Sequence, residues 1–282
     1  MRPLPRERTL SVTTLAMKGE FHAPSMEKEF FPGEVNPDHL WFSEFANGIF
    51  AVDRLMIIRL LMILILAAFF LYAFRKPKLI PRGVQNVAEY AVDFVRIHIA
   101  EEILGKKEGR RFLPVIGTIF FVVLIGNLPA IIPGTNISAN ARIGMPIVLA
   151  AVAYIVMIYA GAKRYGFGKF VKSSVVIPNL PPALHLLVVP IEFFSTFVLR
   201  PVTLTIRLMA NMLAGHIVLV LLFGATNFFF WQLNGWTLLA GGTLVAALAF
   251  TLFEMLIIFL QAYIFSLLTA VYIEQSLHAD EH

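Results

Sequence analysis

The sequence predicts an all-α polytopic membrane protein: five membrane-embedded helices, the last two a long, steeply tilted hairpin, plus an amphipathic helix on the inner surface. Three observations carry this reading. Of 282 residues 58% are hydrophobic and 26 are phenylalanine. Only 15% are charged, against roughly 25% in soluble domains. The apolar residues also fall into five blocks, each long enough to cross a hydrocarbon core of about 30 Å.

The first block is LMIIRLLMILILAAFFLYAF (55–74). Its Arg59 lies one turn inside the start, where the side chain can snorkel to the interface. The second is FLPVIGTIFFVVLIGNLPAII (112–132) and the third GMPIVLAAVAYIVMIYAGA (144–162), both of single-span length. Residues 183–224 and 236–273 stay largely apolar for 42 and 38 positions. As straight helices these would run roughly 63 and 57 Å. Each therefore either breaks, at Pro190 or Pro201 in the first case, or lies steeply tilted. The joining stretch ATNFFFWQLNG is uncharged and aromatic, which suits a membrane interface.

Basic residues are dense between the first two blocks (Arg75 to Arg111), reduced to Arg142 in the next loop, then present again as Lys163, Arg164, Lys169 and Lys172. The hairpin loop has none. This alternation places the N-terminus outside and the C-terminus inside. Residues 1–50 form a polar segment expected on the outer side, and 51–282 a single membrane domain. The first residues lack the short basic start and cleavable apolar core of a secretory signal. Between the first two spans, Val84, Val87, Ala91, Phe94, Val95 and Ile99 recur at three- or four-residue spacing opposite Glu89, Asp93 and Arg96, the pattern of a surface-lying helix.

Several functions are excluded. There is no cysteine, so disulfides, thiolate metal sites and cysteine nucleophiles are absent. No GxxxxGK[ST] stretch offers a nucleotide site. The net charge of +5 resides in the inner loops and does not indicate nucleic acid. No cofactor or metal is expected.

The hairpin blocks nevertheless carry Glu192, Arg200, Arg207, Asn211 and His216 on one arm, and Glu254 and Gln261 on the other. An arginine at the centre of a membrane helix costs roughly 2.5–3.5 kcal/mol on insertion scales, so such residues usually face protein or water and mark ion pathways. Thr203, Arg207 and Asn211, four apart, share one face. His216 is about 180° around and roughly 13 Å along from Arg207, and Glu254 and Gln261 form one stripe with roughly 10 Å between them. In an antiparallel hairpin, Gln261 at the depth of Arg207 puts Glu254 at the depth of His216, nearer the outside. Histidine and a partly buried carboxyl can titrate near neutrality, whereas arginine stays charged. A relay ending at a fixed cation is no simple proton wire; it suits delivery of protons to a carboxylate on another subunit. A structural ion pair of Arg207 with Glu192 or Glu254, a packing role for His216, and helix-bridging roles for Asn211 and Gln261 remain open alternatives. Arg200, beside Pro201, reads as a helix-end anchor.

At RPVTLTIRLMANMLAGHI the sequence resembles subunit a of F-type ATP synthases, with support from FEMLIIFLQAYIFSLLTAVYI and from GNLPAIIP at the end of the second span. The resemblance covers about residues 50 to 273, and FHAPSMEKEFFPGE near the N-terminus is similar to actinobacterial versions. It implies a non-catalytic stator subunit facing a rotating c-ring, with peripheral-stalk b subunits and the remaining ATP synthase subunits as partners. The setting implied is a bacterial plasma membrane, a mitochondrial inner membrane being the alternative. Arg207 then corresponds to the arginine that attracts the c-subunit carboxylate and separates two half-channels. Asn211, His216, Glu254 and Gln261 correspond to positions lining the outer one. Glu192, fifteen residues before Arg207 where fourteen are expected, corresponds less closely to an inner half-channel position. An autonomous ion channel or secondary transporter using Arg207 as an anion site is the rival reading; it predicts inverted repeats, and none is evident.

Overall fold

The computed structural model describes residues 54–132, 138, 140, 142–175, 182–232 and 237–279. The N-terminal segment 1–50 lies outside them. Every regular element among the described residues is helical. The first span is α1 (Arg54–Ala73), whose Leu60, Leu64 and Leu71 are exposed, as a lipid-facing helix requires. Arg59 lines a narrow crevice of about 10 Å³ with Met62, Gly126 and Asn140, so it faces protein where snorkelling was expected.

The amphipathic segment is α2 (Val84–Val95), continued by a π turn over Arg96–Glu101. Its expected apolar face divides. Phe94, Val95 and Ile99 pack into the core, whereas Val84 and Val87 stay exposed beside Tyr90. The division arises because only the C-terminal part of the segment runs in against the next span. That span, α3 (Glu102–Asn127), is kinked near its start at Gly105, where φ 72° and ψ 168° fall in a region open essentially to glycine alone. The bend is stapled by Glu101, which accepts from Arg110 Nε at 3.2 Å and lies 3.9 Å from Arg96 Nε. Beyond the kink the helix thus begins about six residues before the apolar block, because charged Lys106 to Arg111 continue it.

The third span is α4 (Gly144–Tyr165), and the short α5 (Phe167–Val175) follows after Gly166. Next comes α6 (Pro182–Phe194), a π turn over Ser195–Leu199, and α7 (Arg200–Trp231). The chain does not break at either proline. Pro201 sits in the first turn of α7, and a π turn, with its i→i+5 bonding, takes up the local mismatch between the two proline-containing stretches. The aromatic stretch expected as a loop is helical through Trp231, which shortens the hairpin connection. The last helix is α8 (Thr237–Leu277).

The apolar helix Leu187–Trp231 has 45 residues and Thr237–Leu277 has 41. Their lengths, roughly 68 and 62 Å, are about twice a hydrocarbon core of ~30 Å, so neither fits upright. The core lies between α3, α4, α7 and the C-terminal half of α8: Ile116, Ile119, Phe120, Ala153, Leu208 and Phe265 are all essentially inaccessible. Two bonds tie α8 to α4, a buried one from Ser276 Oγ to Met157 O at 2.7 Å and a partly buried one from Tyr165 Oη to Leu277 O at 2.8 Å.

Candidate functional site

Antiparallel α7 and α8 are held by polar contacts at intervals along their seam. Near the turn, Thr226 Oγ1 donates to Thr243 Oγ1 at 3.0 Å. Further along, Asn211 Nδ2 donates to Gln261 Oε1 at 2.9 Å. At the open end Arg200 Nη1 donates to Gln275 Oε1 at 2.8 Å. Gln261 therefore pairs one turn beyond Arg207, and Glu254 lies against Gly215, the neighbour of His216. The sequence-based alignment of the arms is shifted by about one turn for Gln261 and by one residue for Glu254.

Around the middle contact is an open cavity of about 360 Å³. Arg207, Asn211, Glu254 and Gln261 bring polar groups to it, while Phe253, Leu260 and other apolar residues form its walls. Glu254 is 1% exposed, and neither of its oxygens has a hydrogen-bond partner among the described residues. Burying a carboxyl group without a hydrogen-bond partner is costly, which marks this side chain out from ordinary helix packing. Gly215 makes room for it: a Cβ there would collide with both Glu254 carboxylate oxygens.

Arg207 and Asn211 are exposed on the open side of the cavity. Among the described residues Arg207 forms no ion pair, so the alternative pairings with Glu192 and Glu254 are not made. His216 is half-buried beside Gly215 but does not line the cavity, and no hydrogen bond joins it to Glu254.

Glu192 belongs to a second cavity, of about 220 Å³, at the open end of the hairpin. Thr196, Arg200, Tyr272, Gln275 and, from α5, Ser173 and Ser174 line it too. An α-helix rotates residues eight apart by about 80°. The π turn between Glu192 and Arg200 takes an extra residue per bonded ring and removes most of that drift, so Glu192, Thr196 and Arg200 face one space. Arg200 is not a free helix-end anchor. Its guanidinium stands over the Tyr272 ring, with Cζ 5.3 Å from the centroid, besides bonding Gln275. Gly215 and Gln275 were not singled out from the sequence; Arg200 was, as a charge in an apolar block, and its seven-residue spacing from Arg207 repeats a helical face. No group of three His, Asp or Glu converges as a metal site among the described residues.

Ionisable side chains gathered along one seam of membrane-length helices define an ion-translocating membrane protein. The particular family follows from comparison with known proteins. The chain belongs to the ATP synthase A chain family, whose model matches residues 55–274. It is 63% identical over 278 residues to ATP synthase subunit a of Rhodococcus erythropolis, covering 98% of each chain. It is 37% identical to the subunit a of Frankia alni, covering 93% of this chain and 91% of the relative. With that of Streptomyces lividans it shares 40% identity, covering 86% and 85%. The similarity to actinobacterial proteins thus extends through the whole membrane domain. Membership carries proton transport and ATP synthesis as the process, a membrane location, and assembly with other ATP synthase subunits.

Proposed function

We propose that the chain is the proton-channel stator subunit of a rotary ATP synthase, offering two offset half-channels to the carboxylates of a c-ring. The observation that carries this reading is the cavity in which Glu254, Gln261 and Asn211 sit with Arg207 on its open side. Protons enter from the outside past His216 and Glu254, are passed near Asn211 and Gln261, and neutralise a ring carboxylate. Once neutral, that carboxyl can travel through lipid, where a charged one could not. On returning it gives its proton to the inner path, where Glu192 lines the second cavity. Facing Arg207, the emptied carboxylate is favoured in its ionised form by the opposite charge. Arginine does not itself give up a proton, so it bars direct passage between the two half-channels.

The apolar, exposed wall beside Arg207 suits a ring of helices as partner, and the lipid-facing α1 offers a surface for peripheral-stalk b subunits. The charge pattern of the loops supports an outer N-terminus and an inner C-terminus in a bacterial plasma membrane. Each proton crossing 100 mV is worth roughly 2.3 kcal/mol, so several must pass for each synthesis step.

The test is ATP-driven acidification of inverted vesicles carrying Arg207→Ala, with passive proton leak measured alongside. Loss of pumping in an assembled complex, with leak unchanged or raised, is the expected result. Normal pumping would make the arginine structural and end this reading. Proton flux through the isolated chain in liposomes would favour the autonomous channel instead.

A further inference from the structure

The inner cavity holds a second permanent cation that proton relay does not require. Arg200 is fixed there twice, by its 2.8 Å bond to Gln275 and by its place over the Tyr272 ring. Both partners lie on α8, so the guanidinium is held across the seam and cannot swing out to the membrane surface. In the orientation proposed above, Glu192 is nearer the inner mouth. Arg200 stands eight residues deeper, roughly 12 Å along the helix, and Arg207 another turn or two beyond.

We infer that Arg200 is a specificity-determining residue, a charge filter at the base of the inner cavity that admits protons and turns back metal cations. The chemistry differs for the two ions. A proton bound to Glu192 makes a neutral carboxylic acid, and it moves on by exchange with water or the hydroxyls of Ser173, Ser174 and Thr196. Along such a hydrogen-bonded chain each oxygen releases one proton as it takes up another, so the transferred charge is spread over the chain and no discrete cation has to stand beside the guanidinium. A sodium or potassium ion cannot be neutralised by forming a bond to oxygen; it keeps its charge and must stand beside a fixed cation in surroundings of low dielectric. Glu192 can attract such an ion to the mouth, but Arg200 opposes its passage further in. A guanidinium serves this role better than an ammonium because it stays charged and weakly hydrated when buried.

The absence of cysteine makes the test direct. Ser174, half-buried and lining this cavity, is replaced in the assembled complex as Ser174→Cys. Inverted vesicles are treated with two membrane-impermeant methanethiosulfonates, one bearing a sulfonate and one a trimethylammonium group. Rates are divided by those for a free thiol in solution. The anionic reagent is expected to be favoured, and adding Arg200→Gln should shift the ratio several-fold toward the cationic one. Arg200→Lys should restore most of the preference, which a purely structural role would not predict. An unchanged ratio in Arg200→Gln overturns the inference, as does a cysteine that neither reagent reaches from the inner face. The inference rests on the half-channel reading, yet the two fail separately: Arg207→Ala vesicles that pump normally would refute that reading without altering the labelling ratio.

Discussion

Gly215 and Glu254 are fitted to each other across the hairpin: the carboxylate occupies the space that any side chain at 215 would need. Gly215→Ala must therefore move either Glu254 or the backbone of α7. Since small displacements of a reacting group can cost up to about a hundredfold in rate, ATP-driven pumping by inverted vesicles should fall at least several-fold. The shorter carboxylate of Glu254→Asp, added to Gly215→Ala, should recover part of it. Equal rates in Gly215→Ala and the parent would mean that the position of Glu254 is unimportant.

The bond from Asn211 to Gln261 predicts coupling between two residues 50 apart in sequence. Asn211→Ala and Gln261→Ala should each slow pumping, and the double variant should be little worse than the more damaging single one. Hydrogen bonds between membrane helices average roughly 0.6 kcal/mol in double-mutant cycles. A cycle on the pumping rates should give a term of that order, whereas strict additivity would deny the contact any role.

Gly105 tests the kink near the start of α3. A Cβ there meets nothing within 4 Å, so the penalty for Gly105→Ala is that of the backbone conformation alone. Residues held in such regions cost about 1–3 kcal/mol. The thermal midpoint for retention of this subunit in the detergent-solubilised complex should drop, with pumping per assembled complex little affected.

Glu192→Gln tests the inner path. The side chain keeps its size and loses its ability to exchange a proton, so pumping should fall by roughly a hundredfold if this carboxyl acts in general acid–base fashion. Unaltered pumping in Glu192→Gln would remove the residue from the pathway.

Much of the fold was legible because lipid imposes a simple rule: long apolar runs become helices, since backbone polar groups must be satisfied internally. The blocks at 55–74 and 144–162 correspond closely to α1 and α4 for that reason. Boundaries failed where polar residues continue a helix, as before Phe112, or where interfacial aromatics do, as at Phe228 to Trp231. Arg207, Asn211, Glu254 and Gln261 stood out because each is expensive in an apolar run. Gly215 did not, because its importance lies in what the facing helix places against it. Arg200 stood out as well, but not its partners, since its anchoring depends on Tyr272 and Gln275 more than seventy residues away. The π turn left no simple mark either, since it follows from how two proline-bearing stretches are joined within one helix.

That π turn makes the hairpin sensitive to the count of residues in a way that ordinary mutational change does not reveal. Between Glu192 and Arg207 the helix holds one residue more than a regular winding would use to keep its phase. Losing a single residue from Ser195–Leu199 would let the stretch wind as regular α-helix, with Glu192 seven residues before Arg200 and only about 20° from its face, so the shared space would survive. Adding a residue there, or losing one between Glu192 and the π turn, would instead turn Glu192 by about 100° relative to α7, carrying it away from Arg200. Changes of residue count around this stretch thus act through the phase of the helix as well as through its composition. The spacing between the two residues is as much a heritable property of this cavity as the residues themselves.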